Sequence, residues 1–210
     1  MHLEVERCQL VMIDYQARLM PHIDERDVVL AQAHLLAQTA ALLKVPMHWT
    51  EQAPQSLGRT VAPLSDWTHG VIEKSSFDAT IDGLLEALEP AAKPPSGGGN
   101  ARSLPKHLRK AVPEGRPARD IVVVAGLEAH VCVLQTVLGL IEQEKEVWLV
   151  TDATGSCQPR QKEAALDRLA SQGVELVTAE MVVYEWLGSS DHPAFETVLP
   201  WIKAARVAGQ

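Results

Sequence analysis

Six short apolar runs recur along this chain, most of them followed by a segment with helical spacing of its apolar residues, and this alternation constrains the fold more than any other feature. "CQLVMID" (Cys8 to Asp14), "VPMHWT" (Val45 to Thr50), "GVIEK" (Gly70 to Lys74), "DIVVVAG" (Asp120 to Gly126), "EVWLVTD" (Glu146 to Asp152) and "VELVTA" (Val174 to Ala179) read as strands. Their apolar stretches are nearly continuous, as in strands buried on both faces. Asp27 to Leu43, about Ile81 to Leu88, His130 to Gln143 and Gln161 to Gly173 read as helices, with Asp27 an N-cap and Gly173 a stop. Two short helices, Ala179 to Leu187 and Pro193 to Ala204, complete the pattern. Strands alternating with helices predict a three-layer α/β/α fold around a six-stranded, mainly parallel, doubly wound, Rossmann-like sheet.

Residues 1–210 suit a single domain, interrupted at about residues 90–119. There, Pro94 to Arg119 holds five prolines, four glycines and six Lys or Arg against one acid. So few large apolar side chains cannot offset the entropy of ordering, so a mobile insertion is expected, either a tolerated surface excursion or a lid or docking arm. The net charge of −8 offers no long-range attraction to nucleic acid or to an anionic membrane. A small-molecule or protein partner is expected instead. No run approaches the roughly 18 apolar residues of a membrane span, and Glu4 and Glu6 stand where an export signal needs basic residues. Cys8, Cys132 and Cys157 are an odd set without metal-type spacing, which fits free thiols in a reducing cytoplasm.

In a parallel sheet of this kind, ligands bind beyond the carboxyl ends of the strands. Asp14, Lys74 and Asp152 end strands one, three and five, and the loop after strand four delivers Cys132 to the first turn of a helix. Taken singly, each has a plain structural reading: a cysteine in an apolar helix is a small core residue, and a lysine or aspartate at a strand end is a surface group. Taken together, a carboxylate, an ammonium and a thiol on one edge form a candidate nucleophilic site, since a helix N-terminus and a neighbouring cation both favour a thiolate.

"VMIDYQ", "EKSSFDAT" and "VAGLEAHVCVLQT" resemble the three signature segments of the isochorismatase-like cysteine hydrolases, and "SSDHPAFETVLPWIK" is similar to the tail of the isochorismatase-domain-containing branch. The resemblance spans about Cys8 to Leu88 and Asp120 to Lys203, leaving out the insertion. It implies Cys132 as nucleophile, forming a thioester in amide-cleaving members, Asp14 as base and then acid, and Lys74 holding the thiolate. It further implies a cis peptide between Leu127 and Glu128, turning the backbone N–H groups of Glu128 and Cys132 into an oxyanion hole, with Gly126 easing the turn. Gln16 matches the family's D-x-Q pattern and either fixes the loop or touches substrate. Leu19, Trp49 and Val131 are candidate pocket residues, with core packing as the alternative. His130 is expected to be exposed rather than catalytic, and no role is assigned to the Glu128 side chain.

Nicotinamidases of that family hold a metal through an Asp-x-His, which "MHWTEQAPQSLGRTV" lacks; no metal and no cofactor is expected. Homodimers or homotetramers are the family's usual state. Three classes of function follow: a hydrolase of a small amide or related C–N bond, a catalytically silent binding or assembly module, and a nucleotide-dependent oxidoreductase. The last is disfavoured because neither strand-one nor strand-four loop carries G-x-G-x-x-G. Cleavage of isochorismate itself is a vinyl ether hydrolysis needing no thioester, so the family name does not fix the reaction.

Overall fold

A single sheet organises the chain, with its strands in the order β3-β2-β1-β4-β5-β6 and every neighbouring pair parallel. The strands are β1 (Cys8–Ile13), β2 (Met47–Gln52), β3 (Ile72–Lys74), β4 (Ile121–Gly126), β5 (Glu146–Val150) and β6 (Glu175–Val177). Helices α1 (Arg26–Leu43), α2 (Pro54–Leu57), α3 (Leu85–Leu88), α4 (Leu134–Glu142), α5 (Pro159–Ser171), α6 (Ala179–Leu187) and α7 (Phe195–Val207) connect or follow them. This computed structural model describes residues 2–89 and 119–208, so the insertion expected over about 90–119 lies, but for Arg119, outside the described residues.

Alternation along the buried strands sorts side chains into two apolar layers. Leu10, Met12, Val123 and Trp148 face the layer that also holds Val29, Leu36, Val183 and Ile202, from α1, α6 and α7. Val11, Ile13, Val122, Val124 and Leu149 face the other layer, with Val137 and Leu140 of α4, Leu169 of α5 and Leu88 of α3. Each such large side chain taken out of water contributes about 1.5–3 kcal/mol, which is why the strands need no polar face. Among the described residues no helix is long and apolar enough to cross a membrane.

Several boundaries differ from the sequence expectation for identifiable reasons. β2 starts after Pro46 and runs on through Glu51 and Gln52, because both polar side chains are satisfied internally. Glu51 accepts from Arg59 and from the amide and hydroxyl of Thr60. Asp27 is not the N-cap of α1; the helix starts at Arg26, Glu25 precedes it in left-handed backbone, and Asp27 lies in the first turn, where its charge complements the helix dipole. The helix expected over Ile81 to Leu88 begins as a wide turn over Thr80–Leu84 and is regular only in α3. Asp82 causes the irregularity: its Oδ2 accepts the N–H groups of Ser75 and Ser76, tying this turn back to the end of β3.

The sheet order reverses between β1 and β4, whose chains leave in opposite directions from adjacent carboxyl ends. A crevice opens at such a switch point. Register brings the ends together, with Ile13 opposite Gly126 on one side and Thr50 on the other, and Gln52 opposite Lys74.

Candidate active site

Asp14 directly follows β1 and takes left-handed backbone, φ 55°, which turns its carboxylate across the end of the sheet. Thr50 of β2 donates its hydroxyl to Asp14 Oδ1 at 2.7 Å. Lys74, the last residue of β3, reaches back so that Nζ lies 2.8 Å from Asp14 Oδ2, and both side chains are entirely buried. Lys74 Nζ also donates to Gln52 Oε1 at 2.7 Å and to the carbonyl of Ser76 at 3.3 Å.

The thiol enters from the other side of the crevice. Cys132 is 4% exposed and sits in the wide turn Ala129–Val133 that opens α4, with Sγ 4.0 Å from Gln52 Oε1. Burial pushes its pKa up to about 12, the Asp14 carboxylate pushes in the same direction, and the Lys74 ammonium opposes both. In the resting site the thiol keeps its proton beside an Asp14–Lys74 pair. A thiol beside a carboxylate and an ammonium is an arrangement in which the sulfur's proton can pass to the carboxylate.

Gln16 is buried, and all of its polar contacts are to backbone: Nε2 donates to the carbonyls of Gln52 and Gly58, and Oε1 accepts the N–H of Gln52. Of its two expected roles, this is loop fixation. Gln52 in turn anchors its amide on Ser75 O at 2.8 Å while its oxygen holds Lys74. Gln52 lies beyond the second strand as the sequence shows it, which ends at Thr50; the rule that strand ends gather at the site, applied two residues further, reaches it, while Thr50 already stands at the expected strand end.

Four expectations are corrected. Trp49 is core: it is 1% exposed and belongs to the α1-side layer, whereas Cys132 belongs to the opposite one, because Trp49 and Thr50 alternate across β2. Leu19 packs against the same α1-side layer, and only Val131 of the apolar candidates packs with the layer of Cys132. The peptide between Leu127 and Glu128 is not cis, since the cis bond among the described residues is Ala62–Pro63. The bend comes instead from Glu128 at φ 55°, ψ 60°. Left-handed backbone costs a non-glycine residue about 1–2 kcal/mol. Gly126 serves close packing rather than turning, for a Cβ there would stand 2.6 Å from Ile13 Cβ and 2.8 Å from Ile13 O.

His130, expected to be exposed, is half-buried: its Nδ1 lies 3.1 Å from Ser156 Oγ and 3.5 Å from Glu128 Oε2. Among the described residues no three His, Cys, Asp or Glu side chains gather as a metal site would require.

The isochorismatase domain matches residues 8–181. Isochorismatase domain-containing protein 2 from Pongo abelii is 30% identical over 92% of this chain and 82% of its own length. The structure of a protein named MAR1 ribonuclease from Caenorhabditis elegans superposes with a TM-score of 0.79 at 25% identity, covering 97% of this chain and 93% of that one. YcaC from Escherichia coli, described as an octameric hydrolase of unknown specificity, superposes with a TM-score of 0.75 at 20% identity over 98% and 93% of the two chains. Family members can thus be oligomeric. With its domain matched over most of its length and its hydrolase fold shared, this chain belongs to the isochorismatase family.

Proposed function

We propose that this protein is a cysteine hydrolase of a small molecule, cleaving an amide or related C–N bond. The observation that carries the reading is the fully buried Asp14–Lys74 pair, 2.8 Å apart, set against a thiol that burial keeps protonated. A buried ion pair is a poor source of stability, because desolvating two charges cancels most of their attraction. A silent binding module would fold as well with apolar residues at both positions, whereas a nucleophile held protonated needs a base and a counter-charge.

In the proposed cycle Cys132 Sγ attacks the carbonyl carbon while Asp14 takes the thiol proton. The carbonyl pair moves onto oxygen, where the N–H groups of Glu128 and Cys132 would receive the charge; one such donor is worth about 2.7–4 kcal/mol. The C–N bond then breaks, Asp14 returns its proton to the departing nitrogen, and a thioester remains on Cys132. Water attacks the thioester with Asp14 again as base, the C–S bond breaks, and the thiol recovers its proton. Lys74 orients the Asp14 carboxylate, 2.8 Å away, and offsets the sulfur's charge as it develops. Gln52 and Thr50 hold these two groups in register, and Val131 lines the approach.

The name of the C. elegans relative raises RNA as a substrate. A chain of net charge −8, with its site lysine already paired to a carboxylate, offers little to a polyphosphate backbone.

Two measurements test the reading. Iodoacetamide should label Cys132 faster than Cys157 although Cys157 is the exposed thiol, the reverse of the order that accessibility alone dictates. A screen of primary amides, carbamoyl compounds, isochorismate and RNA should then yield a substrate whose turnover disappears in Cys132→Ala and whose acyl group is found on Cys132 by mass spectrometry. Preferential labelling of Cys157, or full turnover by Cys132→Ala, would overturn it.

A further inference from the structure

Gln52, the last residue of β2, puts one side-chain oxygen within reach of both the site's cation and its thiol. Oε1 lies 2.7 Å from Lys74 Nζ and 4.0 Å from Cys132 Sγ. The amide has one orientation. An ammonium only donates, so the oxygen faces Lys74, and the carbonyl of Ser75 only accepts, so Nε2 faces it at 2.8 Å. The backbone of Gln52 is held as well, its N–H and its carbonyl both bonded to the buried Gln16 side chain at 2.9 and 3.0 Å.

An ammonium has three N–H groups to give. Three protein oxygens stand around Lys74 Nζ: Gln52 Oε1 at 2.7 Å, Asp14 Oδ2 at 2.8 Å and the carbonyl of Ser76 at 3.3 Å. At rest these oxygens account for all three, and none is left over for the sulfur of Cys132. The lysine then acts on the thiol through its charge, against burial and against the charge of Asp14. Those two charges come from the ends of β3 and β1, while β2 between them contributes the neutral Gln52.

We infer, resting on the hydrolase reading for the identity of the nucleophile, that Gln52 is a positioning residue that keeps the Cys132 thiol protonated at rest by holding a Lys74 N–H that a thiolate would otherwise take. A buried ammonium N–H deprived of its acceptor is costly, and ionising Cys132 supplies a replacement beside the place that Oε1 vacates. Loss of the Gln52 oxygen therefore makes the thiol more reactive. Loss of a side chain that merely supports the site does the opposite. With Gln52 in place the sulfur stays inert toward stray electrophiles until a substrate carbonyl is seated and the proton has somewhere to go.

Gln52→Met and Gln52→Glu, made in the full chain, test this. The three side chains are similar in length and volume, so access to Sγ is common to them and the acceptor is what differs. The probe is iodoacetamide, whose C–S bond forms at a saturated carbon as iodide leaves with the bonding pair. Labelling at Cys132, read by mass spectrometry with Cys157 as internal standard, should accelerate about tenfold at pH 7 in Gln52→Met, the size of one hydrogen bond to a charged group. In Gln52→Glu, which keeps an oxygen on Lys74, the rate should stay at or below that of the wild type. The accelerated rate should also stay flat from about pH 6 to 9, because Asp14 still takes the proton, whereas a thiol merely uncovered climbs with pH. Near-ultraviolet circular dichroism reports folding, and Gln52→Leu gives the same readout should Gln52→Met not fold. A Gln52→Met rate no higher than wild type, a Gln52→Glu rate that rises with it, or an accelerated rate that climbs with pH overturns the inference and leaves the hydrolase reading standing. The preference of the wild type for Cys132 over Cys157 tests the hydrolase reading alone.

Discussion

Replacing Asp14 and Lys74 singly and together separates what the pair does for folding from what it does for chemistry. With both side chains entirely buried and 2.8 Å between Nζ and Oδ2, their attraction at an effective dielectric of 20 is about 6 kcal/mol. Desolvation costs several kcal/mol for each ion, so the pair as a whole comes out near zero. Removing one partner is different, because it strands the other charge without water. Lys74→Met should therefore cost about 3–5 kcal/mol, as should Asp14→Asn, a large part of the roughly 5–15 kcal/mol that holds a domain together. In a chain of this size that lowers the midpoint of thermal unfolding by about 6–20 °C. The double variant Asp14→Asn/Lys74→Met strands neither charge, and the introduced side-chain amide can still accept from Thr50 through its oxygen, so it should lie within about 2 kcal/mol of wild type. Urea unfolding of the wild type, both singles and the double gives the coupling energy, expected at about 3 kcal/mol or more. The double variant should be stable and devoid of Cys132 turnover. Single losses that add to the double within about 0.5 kcal/mol would refute the premise that the two charges are desolvated together.

Three further outcomes are expected. Burial first and the Asp14 carboxylate second push the Cys132 pKa up to about 12, against Lys74, so Asp14→Asn should lower it while burial still holds it raised. Cys132 alkylation, flat from about pH 6 to 9 in the wild type where the proton moves inside the site, should then climb with pH in the variant, and a flat profile in Asp14→Asn would refute Asp14 as the proton acceptor. Gly126→Ala forces a Cβ to 2.6 Å from Ile13 Cβ and should destabilise by about 1–3 kcal/mol in urea unfolding while slowing Cys132 alkylation; a neutral result would show that β1 and β4 can part at this end. Gln9 Nε2 donates to the carbonyls of Leu88 at 3.0 Å and Arg119 at 2.8 Å, so the chain before and after residues 90–118 is brought together by one side chain at the amino end of β1. Replacing 90–118 by a short Gly-Ser bridge should raise stability by about 1 kcal/mol through a shorter closure and leave Cys132 reactivity unchanged, a loss of reactivity being the contrary result.

Much of this was legible in the chain because burial on both faces writes itself as uninterrupted apolar runs. "DIVVVAG" and "CQLVMID" admit few readings other than central strands, and the rule that carboxyl ends gather then put Asp14, Lys74 and Cys132 on one edge. Illegible were the features set by contacts between segments distant in sequence. Nothing near Trp49 tells which face of β2 it takes until β2 is registered on β1, and one position decides between core tryptophan and site threonine. Gln52 looks like a loop residue until Lys74 arrives from β3 to claim its oxygen and Gln16, just past β1, to claim its backbone. The bend at Glu128 has no local signature either, since neither glycine nor asparagine marks it.

These hidden features share a physical character: each is a polar or strained group whose cost is offset by a partner elsewhere in the chain. The left-handed Asp14 is held by Thr50 and Lys74, and Gln52 by Ser75 and Gln16. Apolar periodicity cannot reveal such groups, because it records only what is removed from water. They concentrate at the switch point, where β1 and β4 diverge and backbone packing cannot fill the space, so a polar network spanning β1, β2 and β3 closes it instead. A core mutation in either apolar layer should therefore lower stability with little change in Cys132 selectivity, whereas changes at Thr50 or Gln52 should alter selectivity out of proportion to stability. Thr50→Val is the sharpest instance, for it keeps shape and burial and removes only the hydroxyl that bonds Asp14 Oδ1 at 2.7 Å. It should cost about 1.5–3 kcal/mol of the charge-assisted bond and free the carboxylate to rotate away from the thiol, seen as a loss of the labelling preference for Cys132 over Cys157. If that preference survives Thr50→Val undiminished, Lys74 alone orients the base and the network is scaffolding.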